Sequence, residues 1–347
     1  MADIAEHPLF EAYPSLRSRV PRVSLGSFPT EVERLPALEK KLGLGSLWIK
    51  RDDRSGRLHG GNKVRKLEYL LAGLAPNADH GITAYGPISS NWTLACAVYA
   101  RSLGIPINLL LFRMKHARVE ESVISIQQKL AEKMEILSSP VSLLPKLILP
   151  SVAELLRGGM GLMPPGGTSP TSILGYVNAF LELAHQVEEG LLPMPDVIVL
   201  PYGTGGTAAG LAVGVMLSGK QCRVLGVRVA SSFFSNIWVG RVLSNAALRI
   251  IRGGENRFRS PNATGDILEV ESGFYGRGYG QSTRVGSEAA RIVESEEGIV
   301  LDSTYTAKAM SCLIERARQG WGRDKDILFW HTFNSIPLEK VKAAFFP

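Results

Sequence analysis

Cysteine is scarce in this chain: Cys96, Cys222 and Cys312 are an odd number, far apart and in apolar or helical surroundings. That spacing excludes a disulfide framework and a zinc site, and it reads as three small core residues, with no metal centre expected. Long apolar runs are also missing. Stretches such as Ile105 to Phe112 and Val197 to Leu200 stop well short of the roughly 18 residues that would span a bilayer, so no membrane partner is expected. The segment Met1 to Phe10 carries Asp3, Glu6 and His7 and lacks the basic-then-apolar pattern of a secretory signal, which makes a cytoplasmic location the expectation. The net charge is +7, yet the Lys and Arg residues are scattered. With no basic run and no RNA-binding signature, a nucleic-acid partner is excluded and a mild attraction for small anions remains. No internal repeat or low-complexity tail is present, so solenoids and propellers are set aside.

What is present is an ordinary globular composition: 347 residues, 45% hydrophobic and 20% charged, with 36 Gly and 20 Pro. At roughly 150 residues per domain, this length predicts two lobes or one large α/β unit. Strand-like runs at Leu47 to Lys50, Ile105 to Phe112, Val197 to Leu200, Gln221 to Val227 and Asp326 to His331 alternate with helical patterns at Lys63 to Leu74 and Ser90 to Leu103. This alternation predicts an α/β fold with parallel sheets and crossover helices. The Leu-, Pro- and Gly-rich stretch Ser139 to Gly167 breaks the pattern and marks a lobe boundary.

Three segments carry candidate chemistry. In Gly60-Gly61-Asn62-Lys63-Val64-Arg65-Lys66-Leu67-Glu68-Tyr69 a glycine pair delivers Lys63 just as a helix begins, where positive partial charge lowers an amine's proton affinity. Taken alone, this segment reads first as a solvated helix face of Lys63, Arg65 and Lys66. In Tyr202-Gly203-Thr204-Gly205-Gly206-Thr207 a strand ends in small residues that open a helix, an arrangement whose N–H groups and hydroxyls cradle a phosphate. It lacks the Lys-Ser/Thr ending of a nucleotide P-loop and the spacing of a dinucleotide fingerprint, and a plain tight turn is its other reading. In Gly86 to Thr93 a short strand again feeds a helix with a polar first turn, suited either to a carboxylate or simply to capping by Ser90. An amine, a phosphate cradle and a carboxylate cradle together match an amino acid bound to pyridoxal phosphate.

The segment from Gly60 to Tyr69 resembles the Schiff-base lysine motif of the 1-aminocyclopropane-1-carboxylate deaminase and D-cysteine desulfhydrase family, which has the tryptophan synthase β-subunit-like fold (fold type II). Further matches keep the family order: Lys50-Arg51-Asp52-Asp53, Ser90-Asn91-Trp92-Thr93, Gly166-Gly167 with Leu174-Gly175-Tyr176-Val177, Gly203 to Thr207, Gly278-Tyr279-Gly280, and Asp302 to Ala309. The likeness runs from Tyr13 to Leu338 and thins between Arg113 and Leu162 and between Ala230 and Asn262. It implies two open-sheet α/β lobes with the cofactor between them, the larger formed by residues 1–60 and 163–347 and the smaller by residues 61–162, in a homodimer. It also implies that Lys63 carries pyridoxal 5'-phosphate and moves protons at the substrate's α-carbon, and that Asn62 contacts the cofactor's phenolic oxygen. Gly203, Thr204, Gly205, Gly206 and Thr207 would hold the phosphate, Ser90, Asn91, Trp92 and Thr93 the substrate, and Tyr279 and Tyr305 would be the active-site tyrosines beside Lys63 and Ser90.

Choice within the family rests on few residues. Thr306 stands where deaminases of the family carry Glu, as in desulfhydrase-like members. A neutral Thr beside the pyridine nitrogen makes a weaker electron sink, suited to loss of a good β-leaving group. The expectation is therefore D-cysteine desulfhydrase-type elimination giving pyruvate, ammonia and sulfide. The alternatives are 1-aminocyclopropane-1-carboxylate deamination, sulfo-lyase action on cysteate, or a non-catalytic protein that keeps the fold. Two departures bear on the substrate: Trp92 replaces the usual Gln or His, and Phe333-Asn334 replaces a glycine pair. His331 and Thr332 still match, and Thr332 is a second candidate for the pyridine nitrogen.

Overall fold

The computed structural model describes residues 7–74, 81–114, 119–143, 161–233, 235–253 and 264–346. Part of the break expected over Ser139 to Gly167 lies outside them. Two sheets organise the chain. The larger has the order β1-β2-β9-β6-β7-β8, from Val32–Arg34 (β1), Ser46–Lys50 (β2), Val197–Tyr202 (β6), Arg223–Arg228 (β7), Leu268–Glu271 (β8) and Asp326–Trp330 (β9). All its pairings are parallel except the β1 edge, which runs antiparallel to β2. The smaller is a parallel sheet of Ile82–Pro87 (β3), Ile107–Phe112 (β4) and Lys133–Leu137 (β5), in that order.

Residue chemistry explains these elements. The run Val-Ile-Val-Leu in β6 is buried along its whole length, as a central parallel strand covered on both faces must be. Strand β4 starts at Ile107 rather than at Ile105, because Pro106 has no N–H and the Ile105 N–H is spent on Ala100 O (2.9 Å). The helix Lys63–Leu74 has the predicted bounds, and the next predicted helix spans Asn91–Ser102, with Ser90 as its N-cap. Strand β5 eludes a hydrophobic reading because it is an edge strand with mostly exposed or half-exposed residues.

Between the Lys63–Leu74 helix, the Leu174–Glu188 helix and strands β2 and β9 lies a buried ionic network. The Asp52 carboxylate accepts from Arg65 Nη2 (2.9 Å), Thr30 Oγ1 (2.9 Å), Tyr176 OH (2.8 Å) and Trp330 Nε1 (2.8 Å). Glu182 accepts from Arg65 Nη1 (2.8 Å) and Lys50 Nζ (2.7 Å). Two cations thus face two anions, all at most 5% exposed in their side chains. Burial alone would raise the Glu182 pKa, but Arg65 and Lys50 outweigh it and hold the carboxyl at about 2. The contribution of this depressed carboxylate is present above its unfolded pKa and is lost as the pH falls towards 2.

Removing one partner of such a cluster strands the others without compensation. Arg65→Met is expected to destabilise the protein by about 3–5 kcal/mol, measured by urea unfolding at neutral pH. A loss below about 1 kcal/mol would show that the cluster does not hold these elements together.

Candidate active site

Strands β2, β3, β6 and β9 deliver their carboxyl ends to one region, the place where open parallel sheets bind ligands. An inner cavity opens there, lined by the loop from His59 to Lys63, by Lys66 and by the loop from Gly203 to Thr207. It adjoins a wider outer cleft, with which it shares Asn91, Asp302, Tyr305, Phe333 and Asn334.

Lys63 reaches the inner cavity because the loop before it is pinned. Gly61 N donates to Asp52 O (2.8 Å), Asn62 N to Thr332 O (3.1 Å) and Gly60 N to Asn334 Oδ1 (2.6 Å). Gly61 has φ +83°, and a Cβ there would lie 2.7 Å from Phe333 O, so only glycine lets the loop lie against the end of β9. Burial pulls the Lys63 pKa down from 10.5 to about 8. The amine is therefore largely neutral just above that pH, where an exposed lysine is charged.

The opposite end of the cavity is built for an anion. The loop after β6 turns through Gly205, with φ +78°, into the Gly206–Ser218 helix, so the first N–H groups of that helix face the cavity. A Cβ on Gly203 would meet nothing within 4 Å. Thr204 Oγ1 bonds Thr168 Oγ1 (2.6 Å), Lys66 Nζ donates to Thr168 Oγ1 (3.1 Å), and Asn62 Nδ2 donates to Thr207 Oγ1 (3.1 Å). Lys66 is 1% exposed, and burial together with the neighbouring Lys63 drives its pKa well below the ordinary value. A buried amine, Lys66, and a half-buried one, Lys63, beside the N–H groups of a helix start fit a phosphate, whose charge would return the proton to Lys66. Lys66 and Thr168 were not among the expected site residues. The signal for Lys66 was its i+3 spacing from Lys63, which places both on one helix face. Thr168 has no local signal.

The third wall carries the substrate-loop candidates. Ser90 caps the Asn91–Ser102 helix by accepting from Trp92 N (3.2 Å), and Ser90 and Asn91 face the outer cleft. Asn91 and Trp92 line the inner cavity. The Trp92 ring lies so close over Gly167 that a Cβ there would be 2.6 Å from its Cζ3, which shows how the bulky replacement is accommodated. Thr93 does not reach either space. It is fully buried, its hydroxyl accepting from Gln127 Nε2 (2.8 Å) and donating to Ser90 O (3.2 Å). One position further along the helix turns its side chain towards the Glu121–Leu130 helix.

Tyr305 lines both spaces and Tyr279 the outer cleft, and their hydroxyls are hydrogen-bonded to each other. Burial raises both phenol pKa values, that of Tyr305 well above the ordinary range, so both stay protonated. Thr306 lies outside both spaces. Its hydroxyl is held by Asp302, donating to Oδ1 (2.7 Å) and accepting from Asp302 N (2.9 Å), and it is not on the cavity wall. Thr306 stands at the start of the Thr306–Arg318 helix, whose N-terminal N–H groups Asp302 caps. Thr332 does line the cavity, together with Phe333.

Comparison with known proteins agrees with this geometry. A family model described as "Pyridoxal-phosphate dependent enzyme" matches residues 23–332. The chain is 32% identical over 327 residues to a protein of Pyrococcus horikoshii named "Putative 1-aminocyclopropane-1-carboxylate deaminase", covering 92% of this chain and 93% of that one. It is 35% identical over 324 residues to a "D-cysteine desulfhydrase" of Salmonella newport, covering 91% and 94%. Among solved structures, one described as an "ACC deaminase homologue" matches with a TM-score of 0.77 and 29% identity over 94% of this chain and 95% of that one. A threonine deaminase isoform from Solanum lycopersicum shares the fold at a TM-score of 0.65 and 16% identity, covering 96% and 86%.

The lowered pKa of Lys63 gives a direct prediction. In the cofactor-free protein, reductive methylation by formaldehyde and cyanoborohydride, followed by peptide mass mapping, is expected to label Lys63 with a pH midpoint near 8. A midpoint near 10.5, that of an ordinary lysine, would contradict the desolvated setting.

Proposed function

The chain belongs to the pyridoxal-phosphate dependent enzyme family, and on that premise we propose that it is a lyase acting on a small amino acid, by D-cysteine desulfhydrase-type α,β-elimination. In that reaction D-cysteine and water give pyruvate, ammonia and hydrogen sulfide. The observation that carries the reading is that the half-buried Lys63, with its lowered pKa, shares one cavity with Lys66 and the Gly203 to Thr207 loop.

Bound pyridoxal phosphate supplies an aldehyde that joins amines and a ring that takes up the electrons released at the substrate's α-carbon. Lys63 would hold its aldehyde end. Gly203, Thr204, Gly205, Gly206, Thr207, Lys66 and Thr168 would hold its phosphate, Asn62 its phenolic edge, and Thr332 its ring nitrogen. Ser90 and Asn91, at the start of a helix, hold the substrate carboxylate by hydroxyl, amide and helix dipole. Trp92 and Phe333 narrow the space left for the substrate side chain. Lys63 Nζ, whose desolvation favours the neutral amine, would take the proton from Cα. Tyr305, protonated and steadied by Tyr279, hands a proton to the departing sulfur. A neutral Thr332 at the ring nitrogen would favour loss of a good β-leaving group. We extend the proposal to a homodimer in the cytoplasm, with the β3-β4-β5 sheet forming the core of a smaller lobe at residues 61–162. Among the described residues no helix is long and apolar enough to cross a membrane.

A second reading is 1-aminocyclopropane-1-carboxylate deamination to 2-oxobutanoate and ammonia, favoured by the names of the Pyrococcus relative and of the solved homologue. The cofactor-loaded protein is to be assayed with D-cysteine, 1-aminocyclopropane-1-carboxylate and cysteate. Sulfide with stoichiometric pyruvate from D-cysteine is expected, whereas 2-oxobutanoate or sulfite as the dominant product would replace the proposal with one of its rivals. Lys66→Ala is expected to weaken cofactor binding about tenfold or more, read by dialysis against graded pyridoxal phosphate, since it removes a charged hydrogen-bond donor from the phosphate end. Retention equal to wild type would remove Lys66 from that end.

A further inference from the structure

Among the described residues, Ser89 is the non-glycine residue with left-handed backbone, at φ +60°. It occupies the third position of the turn Pro87 to Ser90, closed by Ser90 N donating to Pro87 O (3.1 Å). A turn with positive φ at that position selects glycine or asparagine, so a serine breaks the local rule. Its hydroxyl supplies what glycine could not. Ser89 Oγ accepts from Glu120 N (2.8 Å) and donates to Glu120 O (3.4 Å). Glu120 is the residue that precedes the Glu121–Leu130 helix, so this clip fastens the turn to the start of the neighbouring helix. Ser90, the next residue, caps the Asn91–Ser102 helix, and Ser89, Ser90, Asn91 and Glu120 all line the outer cleft. Left-handed strain in a non-glycine residue persists where surrounding contacts enforce it, and such residues gather at sites that need a fixed geometry.

We propose that Ser89 is a positioning residue: its clip to the Glu120 backbone fixes the direction in which Ser90 Oγ and the first amides of the Asn91–Ser102 helix face the substrate carboxylate. This rests on the reading above that Ser90 and Asn91 hold that carboxylate. A purely structural role predicts something different. The two clip hydrogen bonds are exposed, and exposed hydrogen bonds contribute little to global stability. The helix behind them is anchored by its own buried face from Trp92 to Ala100. Loss of the clip should therefore loosen the loop without unfolding the protein.

The test uses the cofactor-loaded wild type, Ser89→Gly, which relieves the strain and removes the hydroxyl, and Ser89→Asn, which tolerates the left-handed backbone and keeps a polar side chain. D- and L-alanine, which carry the amine and carboxylate but no leaving group, are titrated while the cofactor absorption is followed. Hydrogen exchange at the amides of residues 90–93 is measured without them. Ser89→Gly is expected to bind alanine about fivefold more weakly and to exchange faster at those amides, with the cofactor band and melting temperature unchanged. Ser89→Asn is expected to recover most of the lost affinity. Wild-type affinity and exchange in Ser89→Gly would overturn the proposal, as would a parallel loss of cofactor binding. Should Ser89→Gly fail to fold, a Ser89→Asn variant that binds alanine no better than an unrelated loop variant would overturn it too. A wild-type cofactor band that ignores both alanines would instead count against the carboxylate-site reading, and the exchange data would still decide the role of the clip.

Discussion

Everything at the site depends on a buried exchange of charge two residues away from the reactive amine. Arg65 follows Lys63 on the same helix, and its guanidinium is fixed by Asp52 and Glu182, with Lys50 completing the charge balance. Asp52 belongs to the turn after β2, Trp330 to the end of β9, and Tyr176 and Glu182 to the Leu174–Glu188 helix. One cluster thus fixes the relative placement of four elements. An unpaired ion in such a place would be costly, so the arrangement tolerates little deviation. Positional accuracy at Lys63 is inherited from that constraint, because the helix start cannot shift without breaking the Arg65 contacts.

The cavity itself has a simple electrostatic plan. Helix N-termini lie at two places, at Gly206 beside the glycine-rich loop and at Asn91 beside the outer cleft, and each offers N–H groups to an anion. Between them lie amines whose burial favours the neutral form and phenols whose burial favours the protonated form. A ligand with an anion at each end and an electrophilic carbon between them meets complementary groups along its whole length. Desolvation therefore sets both where such a molecule fits and which groups accept or release protons once it is there.

Much of this was legible in the chain, and the failures are physically specific. The helix from Lys63 follows from a glycine pair ahead of an amphipathic run, and β6 from an unbroken apolar stretch. The loop Gly203 to Thr207 follows from small residues between β6 and the next helix. A motif fixes the order of residues but not the direction of each side chain, as Thr93 and Thr306 show. Thr93 turns one helical step away to Gln127, and Thr306 is claimed by Asp302 at its own helix start. Lys66 was visible only as part of a charged helix face until the cavity showed which side of that helix it occupies. Thr168 comes from a segment about a hundred residues further along the chain, and only the tertiary fold brings it to Lys66 and Thr204.

The central claim is that the amine of Lys63, and not that of its buried neighbour Lys66, is where the cofactor's aldehyde carbon attaches. Borohydride reduction of the cofactor-loaded protein, followed by proteolysis and mass mapping, tests it most directly. The account predicts the pyridoxyl phosphate mass on the peptide containing Lys63, at that residue. Attachment at Lys66, or no attachment at all in a protein that still turns over substrate, would contradict it.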